Sequence, residues 1–356
     1  MVSTNSQLLN QQQKNKRVIK CVVWDLDNTL WNGTLLEDEQ VHLRESVIEI
    51  IKVLDSRGIL QSIASKNDYD VAMDKLKEFG LQDYFIYPQI NWDSKVISLE
   101  KIAKSINISL DTIAFIDDRL FELEEVNFSL PSILCINASD TANILDLPEM
   151  YPRFITEDSR NRRLMYISDI QRQEAEENFV GTSEDFLATL QMKLTLSLAQ
   201  EEDLQRAEEL TVRTNQLNTT GYTYSYDELN YFRQSENYKL LIASLEDKYG
   251  TYGKIGLSLI ECQKDFWTIK LLLMSCRVMS RGIGTVMLNF LMKLAKENNV
   301  RLLAEFISNN RNRMMYISYK FAGFKEIDRK DNLITFENKL ENIQSFPKYM
   351  NIEFLS

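Results

Sequence analysis

The first 150 residues alternate short apolar runs with amphipathic stretches. Residues 18–24 form a short apolar, β-branched run interrupted only by Lys20, the pattern of a strand buried on both faces. Residues 46–58 place Val47, Ile50, Ile51 and Leu54 at the helical period, with Gly58 as a fitting stop. The same reading predicts a strand over 59–64, a helix over 68–79 closed by Gly80, and a helix over 95–105. Strands are predicted over 112–116 and 132–136. Strands separated by helices imply a parallel sheet with right-handed crossovers.

The pattern breaks near residues 147–152. Residues 157–178 are charged and helical, with one narrow apolar line of Leu164, Ile167 and Ile170, and read as a connecting helix. Beyond them a helix is predicted over 199–211 and antiparallel strands over 256–262 and 266–274. Residues 281–284 open a helix over 285–298, followed by a strand over 301–306 and a helix over 314–321 ended by Gly323. The echo of NRRLMYIS (161–168) in NRMMYIS (312–318) reads as two similar amphipathic helices rather than a repeat. The expected division is a disordered tail at 1–17, a first domain at 18–152 and a helical linker at 153–185. A second domain follows at 186–345, then a C-terminal tail at 346–356.

Composition narrows the function. At roughly 150 residues per domain, 356 residues suit two domains. A net charge of −11 argues against nucleic-acid or anionic-lipid binding through overall charge. No stretch approaches the roughly 18 apolar residues of a membrane span, and residues 1–17 lack the apolar core of a secretory signal. Four dispersed cysteines (21, 135, 262, 276) and a single histidine exclude a disulfide scaffold and a structural zinc site. A reducing cytoplasm is expected, with neither a nucleic-acid nor a membrane partner. His42, among polar residues, reads as a solvated surface group. With one histidine, any chemistry must rest on carboxylates, lysine, thiol or backbone dipoles.

Asp25 and Asp27 follow the first buried strand directly, where parallel sheets place their ligands. Paired acids there are costly unless a cation neutralises them, and Mg²⁺ suits a site of carboxylates, water and phosphate oxygens. Ser65 after the second strand offers a hydroxyl to a phosphate, and Lys95 at a helix start offers a positive charge. Asp117 and Asp118 after the next strand add two carboxylates.

In this order the residues resemble the four motifs of the haloacid dehalogenase superfamily: Asp25/Asp27/Thr29, Ser65, Lys95 and Asp117/Asp118. The resemblance implies a Rossmann-like parallel α/β sheet, with Asp25 as nucleophile and Asp27 as general acid, then base. It implies that Thr29, Ser65 and Lys95 contact the substrate. It implies Mg²⁺ held by Asp25, Asp27 (through its carbonyl) and one or both of Asp117 and Asp118. The runs VVWDLDNTLWNGTLLED (22–38), SIASKND (62–68) and FIDDRLFELEEV (115–126) are similar to the FkbH-like subgroup. So are LTVRTNQLNTT (210–220) and LLLMSCRVMSRGIG (271–284). That subgroup's members load the glyceryl group of 1,3-bisphosphoglycerate as a thioester onto an acyl carrier protein for polyketide synthesis. The implied partners are a carrier-protein phosphopantetheine thiol and a small phosphorylated three-carbon substrate.

The second half also resembles the mixed α+β acetyltransferase (GNAT-like) fold, in which a Gly-rich turn opens a helix whose N-terminus binds pyrophosphate. Gly282 and Gly284 fit, but the basic residue expected three positions before Gly282 is Met279. In this context Cys276, beside Arg277 and before the helix start, is the favoured acyl acceptor among the four cysteines. Arg277 and Asn215, with its polar neighbours Arg213, Gln216 and Asn218, are candidates for holding substrate. The alternatives are a phosphatase without acyl transfer, a coenzyme A N-acyltransferase, and a non-catalytic carrier-protein-binding module.

Overall fold

The computed structural model describes residues 17–355. The chain is α/β and divides into two compact units between Ile167 and Ser168. The expected tail at 1–17 lies, but for Arg17, outside the described residues.

In the first unit β1 (Cys21–Trp24) is followed by a small hairpin, β2 (Trp31–Asn32) with β3 (His42–Leu43), and by helix α1 (Val47–Ser56). Strand β4 (Leu60–Ser65), helix α2 (Tyr69–Glu78), the short β5 (Gln89–Ile90) and helix α3 (Lys95–Ile106) come next. Then follow β6 (Ile113–Asp117), α4 (Leu120–Ser129) and β7 (Leu134–Asn137). The strands form one parallel sheet in the order β5-β4-β1-β6-β7. Strands β1, β4 and β6 are buried at every position; β1 and most of β6 run apolar, whereas β4 also buries Gln61, whose amide accepts from Trp24 Nε1–H and donates to the Ile51 carbonyl. Gly58 ends α1 in the left-handed region (φ +70°), as expected. His42 is exposed.

The expected linker is helical: α5 (Glu157–Arg160), α6 (Arg162–Glu177) and the start of α7 (Ser183–Thr189). Its buried side is not the expected apolar line. Leu164 is exposed, whereas Arg162, Met165 and Arg172 are buried. Buried arginine survives because its donors are met. Arg162 Nη1 donates to the Gly58 carbonyl at 2.9 Å within the first unit. Within the second, Arg172 forks onto Asp247 (2.8 Å), pairs with Asp169 (2.8 Å) and lies over the Tyr252 ring.

The second unit holds a mixed eight-stranded sheet. Strand β8 (Met192–Leu198) leads to α8 (Leu204–Arg213), α9 (Tyr226–Gln234), β9 (Tyr238–Asp247), β10 (Gly250–Cys262) and β11 (Phe266–Met274). After these come α10 (Ile283–Glu297), β12 (Arg301–Ile307), α11 (Arg313–Phe321), β13 (Lys325–Lys330), β14 (Leu333–Asn338) and β15 (Met350–Leu355). The order is β13-β14-β12-β11-β10-β9-β8-β15. The segment expected as a C-terminal tail is therefore corrected: β15 pairs in parallel with β8, from Met350 opposite Met192 to Leu355 opposite Ser197. Apolar cores lie on both faces, one with α10 and α11, the other with α8 and α9.

Strands β11 and β12 are parallel neighbours for only four residues each, Phe266–Ile269 against Arg301–Ala304. Beyond this, β11 bulges at Lys270, which pairs with Glu305 of β12, and the strands part. The loop after α8 fills the opening. Thr219 N–H donates to the Leu272 carbonyl, Leu272 N–H to Thr219 Oγ1 and Met274 N–H to the Leu217 carbonyl, each at 3.0 Å. On the other side Ile307 N–H donates to the Thr219 carbonyl at 3.0 Å. The fully buried Asn312 donates to the carbonyls of Asn218 (3.0 Å) and Ile307 (2.9 Å).

Candidate active site

The chemistry of the first unit gathers at the carboxyl ends of its strands. Asp25 follows β1, and its N–H donates to the Ile116 carbonyl at 2.9 Å, extending the sheet by one bond. The chain then turns back through Asn28, which holds a left-handed conformation (φ 54°). An Asn tolerates this because its short amide bonds locally: Oδ1 accepts from Gly33 N–H at 3.1 Å. The turn leaves the Asp27 carboxylate fixed by three donors. Its Oδ1 accepts from Trp31 Nε1–H (2.8 Å) and Leu35 N–H (3.0 Å), and its Oδ2 from Asn67 Nδ2–H (3.0 Å). Burial, aided by the charge of Asp25, raises the Asp27 pKa against the opposing bonds from Leu35 and Trp31.

Lys95 is the first residue of α3 and is buried. A cation there opposes both desolvation and the helix dipole, so it must be held by anions. It is: Nζ pairs with Asp25, lies 3.2 Å from Asp117 Oδ2 and donates to the Ala64 carbonyl at 2.6 Å. Burial alone would lower the Lys95 pKa, but Asp25 and Asp117 outweigh it and raise it. Asp117 is pushed up to about 6, by burial first and the Asp25 charge second. Asp118, half-buried, is raised for the same reasons.

Oxygens of Asp25, Asp117 and Asp118 lie within 4.8 Å of one another. Three crowded carboxylates with one buried lysine between them carry excess negative charge, and a hard divalent cation is the group that relieves it. The donor set fits Mg²⁺. The Asp27 carboxylate stands outside this cluster, so its expected place among the metal ligands rests on its main-chain carbonyl alone. Asp25, Asp27, Ser65, Lys95 and Asp117 line one pocket of about 290 Å³ of empty space together with Lys66, Arg119 and Glu122. Thr29 is fully buried and is not among the residues that line this pocket.

The last three lining residues and Asn67 were not singled out from sequence. The available signal was the polar triplet Lys66-Asn67-Asp68 following a wholly buried strand, and Glu122 facing inward from a helix start.

The remaining expected residues belong to the second unit. Cys276 opens a short 3₁₀ turn between β11 and α10, half-buried, with Sγ 3.8 Å from Gln216 Oε1. The other thiols are poor nucleophiles: burial raises the pKa of Cys21 strongly, that of Cys135 to about 11, and that of Cys262. Cys135 and Cys262 are half-buried, Cys262 against the apolar core of the second unit. Arg277 turns its Nη2 to the Tyr252 carbonyl (2.8 Å), and Asn215 is exposed on the loop. Among the described residues no helix is long and apolar enough to cross a membrane.

No protein-family model matches the chain. No curated protein matches it either. Among solved structures, one similar fold is the N-terminal part of a Bacteroides fragilis protein containing a phosphatase domain, complexed with Mg. It is 24% identical over 47% of this chain and 43% of that one, with a TM-score of 0.33, so the chain spans less than half of its length. Another is the ribosomal-protein-S18-alanine N-acetyltransferase of Escherichia coli, 17% identical over 40% of this chain and 92% of that one (TM-score 0.33). A GNAT-family acetyltransferase of Streptococcus pneumoniae is 15% identical over 41% of this chain and 98% of that one (TM-score 0.32).

Proposed function

We propose that the chain is a Mg²⁺-dependent enzyme that removes phosphate from a small phosphomonoester through Asp25. The observation that carries this reading is the meeting of Asp25, Asp27, Ser65, Lys95 and Asp117 in one pocket at the carboxyl edge of a parallel sheet. An Asp25 oxygen attacks phosphorus in line, and the ester oxygen leaves with a proton from Asp27. Asp27 then takes a proton from the water that attacks the aspartyl-phosphate, releasing inorganic phosphate. Burial raises its pKa, which favours the protonated form that the leaving oxygen requires. Ser65 and Lys95 hold the phosphoryl oxygens. Asp25, Asp117 and Asp118 would hold Mg²⁺, which would supply positive charge against those oxygens when bound.

The finer reading is glyceryl transfer. The sequence motifs of both halves support it, and burial raises the pKa of Cys21, Cys135 and Cys262. Cys276 attacks the carbonyl of an acyl phosphate. A carbon–sulfur bond forms, the carbonyl carbon–oxygen bond to phosphate breaks, and phosphate leaves. Exchange with a carrier-protein phosphopantetheine thiol then releases Cys276.

Intact-protein mass spectrometry tests both readings, using the full chain, Mg²⁺ and enzymatically generated 1,3-bisphosphoglycerate, with and without a holo carrier protein. An added glyceryl mass on the chain, passed to the carrier and absent in Cys276→Ala, is expected. Phosphate release without any mass change would leave a phosphatase alone. Absence of phosphate release in the wild type would overturn the proposal.

A further inference from the structure

Three cations line the Asp25 pocket, and two are committed. Lys95 is held by Asp25 and Asp117, and Lys66 Nζ is bound to Glu122 Oε1 at 2.7 Å. The third is Arg119. Its guanidinium makes neither a hydrogen bond nor an ion pair among the described residues, although it is exposed and free to do so. Its root is fixed: Arg119 is the N-cap residue of α4, and its N–H donates to Asp117 Oδ1 at 2.9 Å. Its charge is felt by Asp27 and Asp118, which it favours in their ionised forms, so it stands within Coulomb reach of both.

Glu122 presents the complementary anomaly. It is only 4% exposed and lines the same pocket, yet its buried Oε2 has no hydrogen-bond partner. A buried carboxylate oxygen left without a donor is costly, and such groups are met by a ligand or by water.

We propose that Arg119 and Glu122 form a specificity subsite beside the phosphate position. Arg119 binds a second anionic group of the substrate, and Glu122 Oε2 accepts a hydrogen bond from a hydroxyl on the carbons between the two anions. The assignment rests on the phosphatase reading and narrows it: the substrate is a short phosphomonoester that also carries a carboxylate or acyl phosphate. Phosphate recognition stays with Ser65 and Lys95, so the subsite adds selectivity rather than chemistry.

The test is phosphate release by the full chain with Mg²⁺ from four probes. These are 3-phosphoglycerate, glycerol 3-phosphate (no carboxylate), 3-phosphonooxypropanoate (no hydroxyl) and p-nitrophenyl phosphate. The wild type is expected to favour 3-phosphoglycerate over glycerol 3-phosphate in kcat/KM by at least about tenfold, the scale of one charge-assisted hydrogen-bond pair. Arg119→Ala should collapse that ratio, mostly through KM, and Arg119→Lys should restore part of it. Glu122→Gln should erase the preference for 3-phosphoglycerate over its deoxy analogue. Equal wild-type turnover of the two three-carbon probes, or an equal loss on both in Arg119→Ala, overturns the subsite. Failure to release phosphate from any probe, p-nitrophenyl phosphate included, overturns the phosphatase reading beneath it.

Discussion

Both oxygens of the Asp27 carboxylate are engaged by donors, and its pKa is raised all the same, because burial and the neighbouring Asp25 outweigh those bonds. A side chain held this firmly can serve as a proton donor only along a fixed line. Asp27→Asn keeps the shape and removes the proton. It should reduce phosphate release from an alkyl phosphomonoester by roughly 10²–10⁴-fold, the usual worth of a placed acid–base group. With p-nitrophenyl phosphate, whose leaving group needs no proton, the same variant should release about one equivalent of nitrophenolate rapidly and then stall. Pre-steady-state absorbance measures this, and a burst-free trace would count against an acid–base role for Asp27. At this scale the site was half legible. Asp25, Ser65, Lys95 and Asp117 were readable because each sits at the end of a strand or start of a helix whose apolar pattern is plain. Asn67, Trp31 and Glu122 were not, since they reach the site only after the turn through Asn28 and the start of α4 are formed.

The elements easiest to foresee were those buried on both faces. Strands β1 and β6 are buried throughout, and helix α10 carries its buried residues at the helical period. Strand β5 has two residues and β13 is exposed at all six positions, so neither carries a usable pattern. The segment after α8, with Asn215 and its polar neighbours, carries no strand pattern in sequence. It is instead held as a surrogate strand, because the parting of β11 from β12 leaves backbone donors that must be satisfied. Asn312 is the clamp of this arrangement. Asn312→Ala would deprive the Asn218 and Ile307 carbonyls of their amide donor, and should cost roughly 2 kcal/mol of stability. Urea unfolding should show a lower midpoint at unchanged slope. An unchanged midpoint would mean that the segment is held without it.

For the whole molecule, the division into two units was foreseen, but the helix that contains the junction was not readable as a packed element. Its burial depends on Arg172 meeting Asp169 on its own helix and the distant Asp247. The end of the chain was misjudged for a related reason: residues 346–356 read as a tail, yet Phe354 stacks on Phe290 with ring centroids 4.6 Å apart and Lys293 lies 3.6 Å over the Phe346 ring. Truncation after residue 345 should therefore lower the melting temperature by several degrees, at roughly 2–4 °C per kcal/mol for a protein of this class. Calorimetry would settle the matter, and an unshifted transition would restore the reading of a dispensable tail.

The outermost strand on the opposite side of the same sheet has a different role. Strand β13 presents Lys325, Glu326, Asp328, Arg329 and Lys330 to solvent along its length. A foreign strand pairing there would have to strip water from alternating charges at nearly every step. A long eight-stranded sheet with an open border would otherwise invite self-templated stacking, so this fringe of mixed charge acts as a barrier to polymerisation.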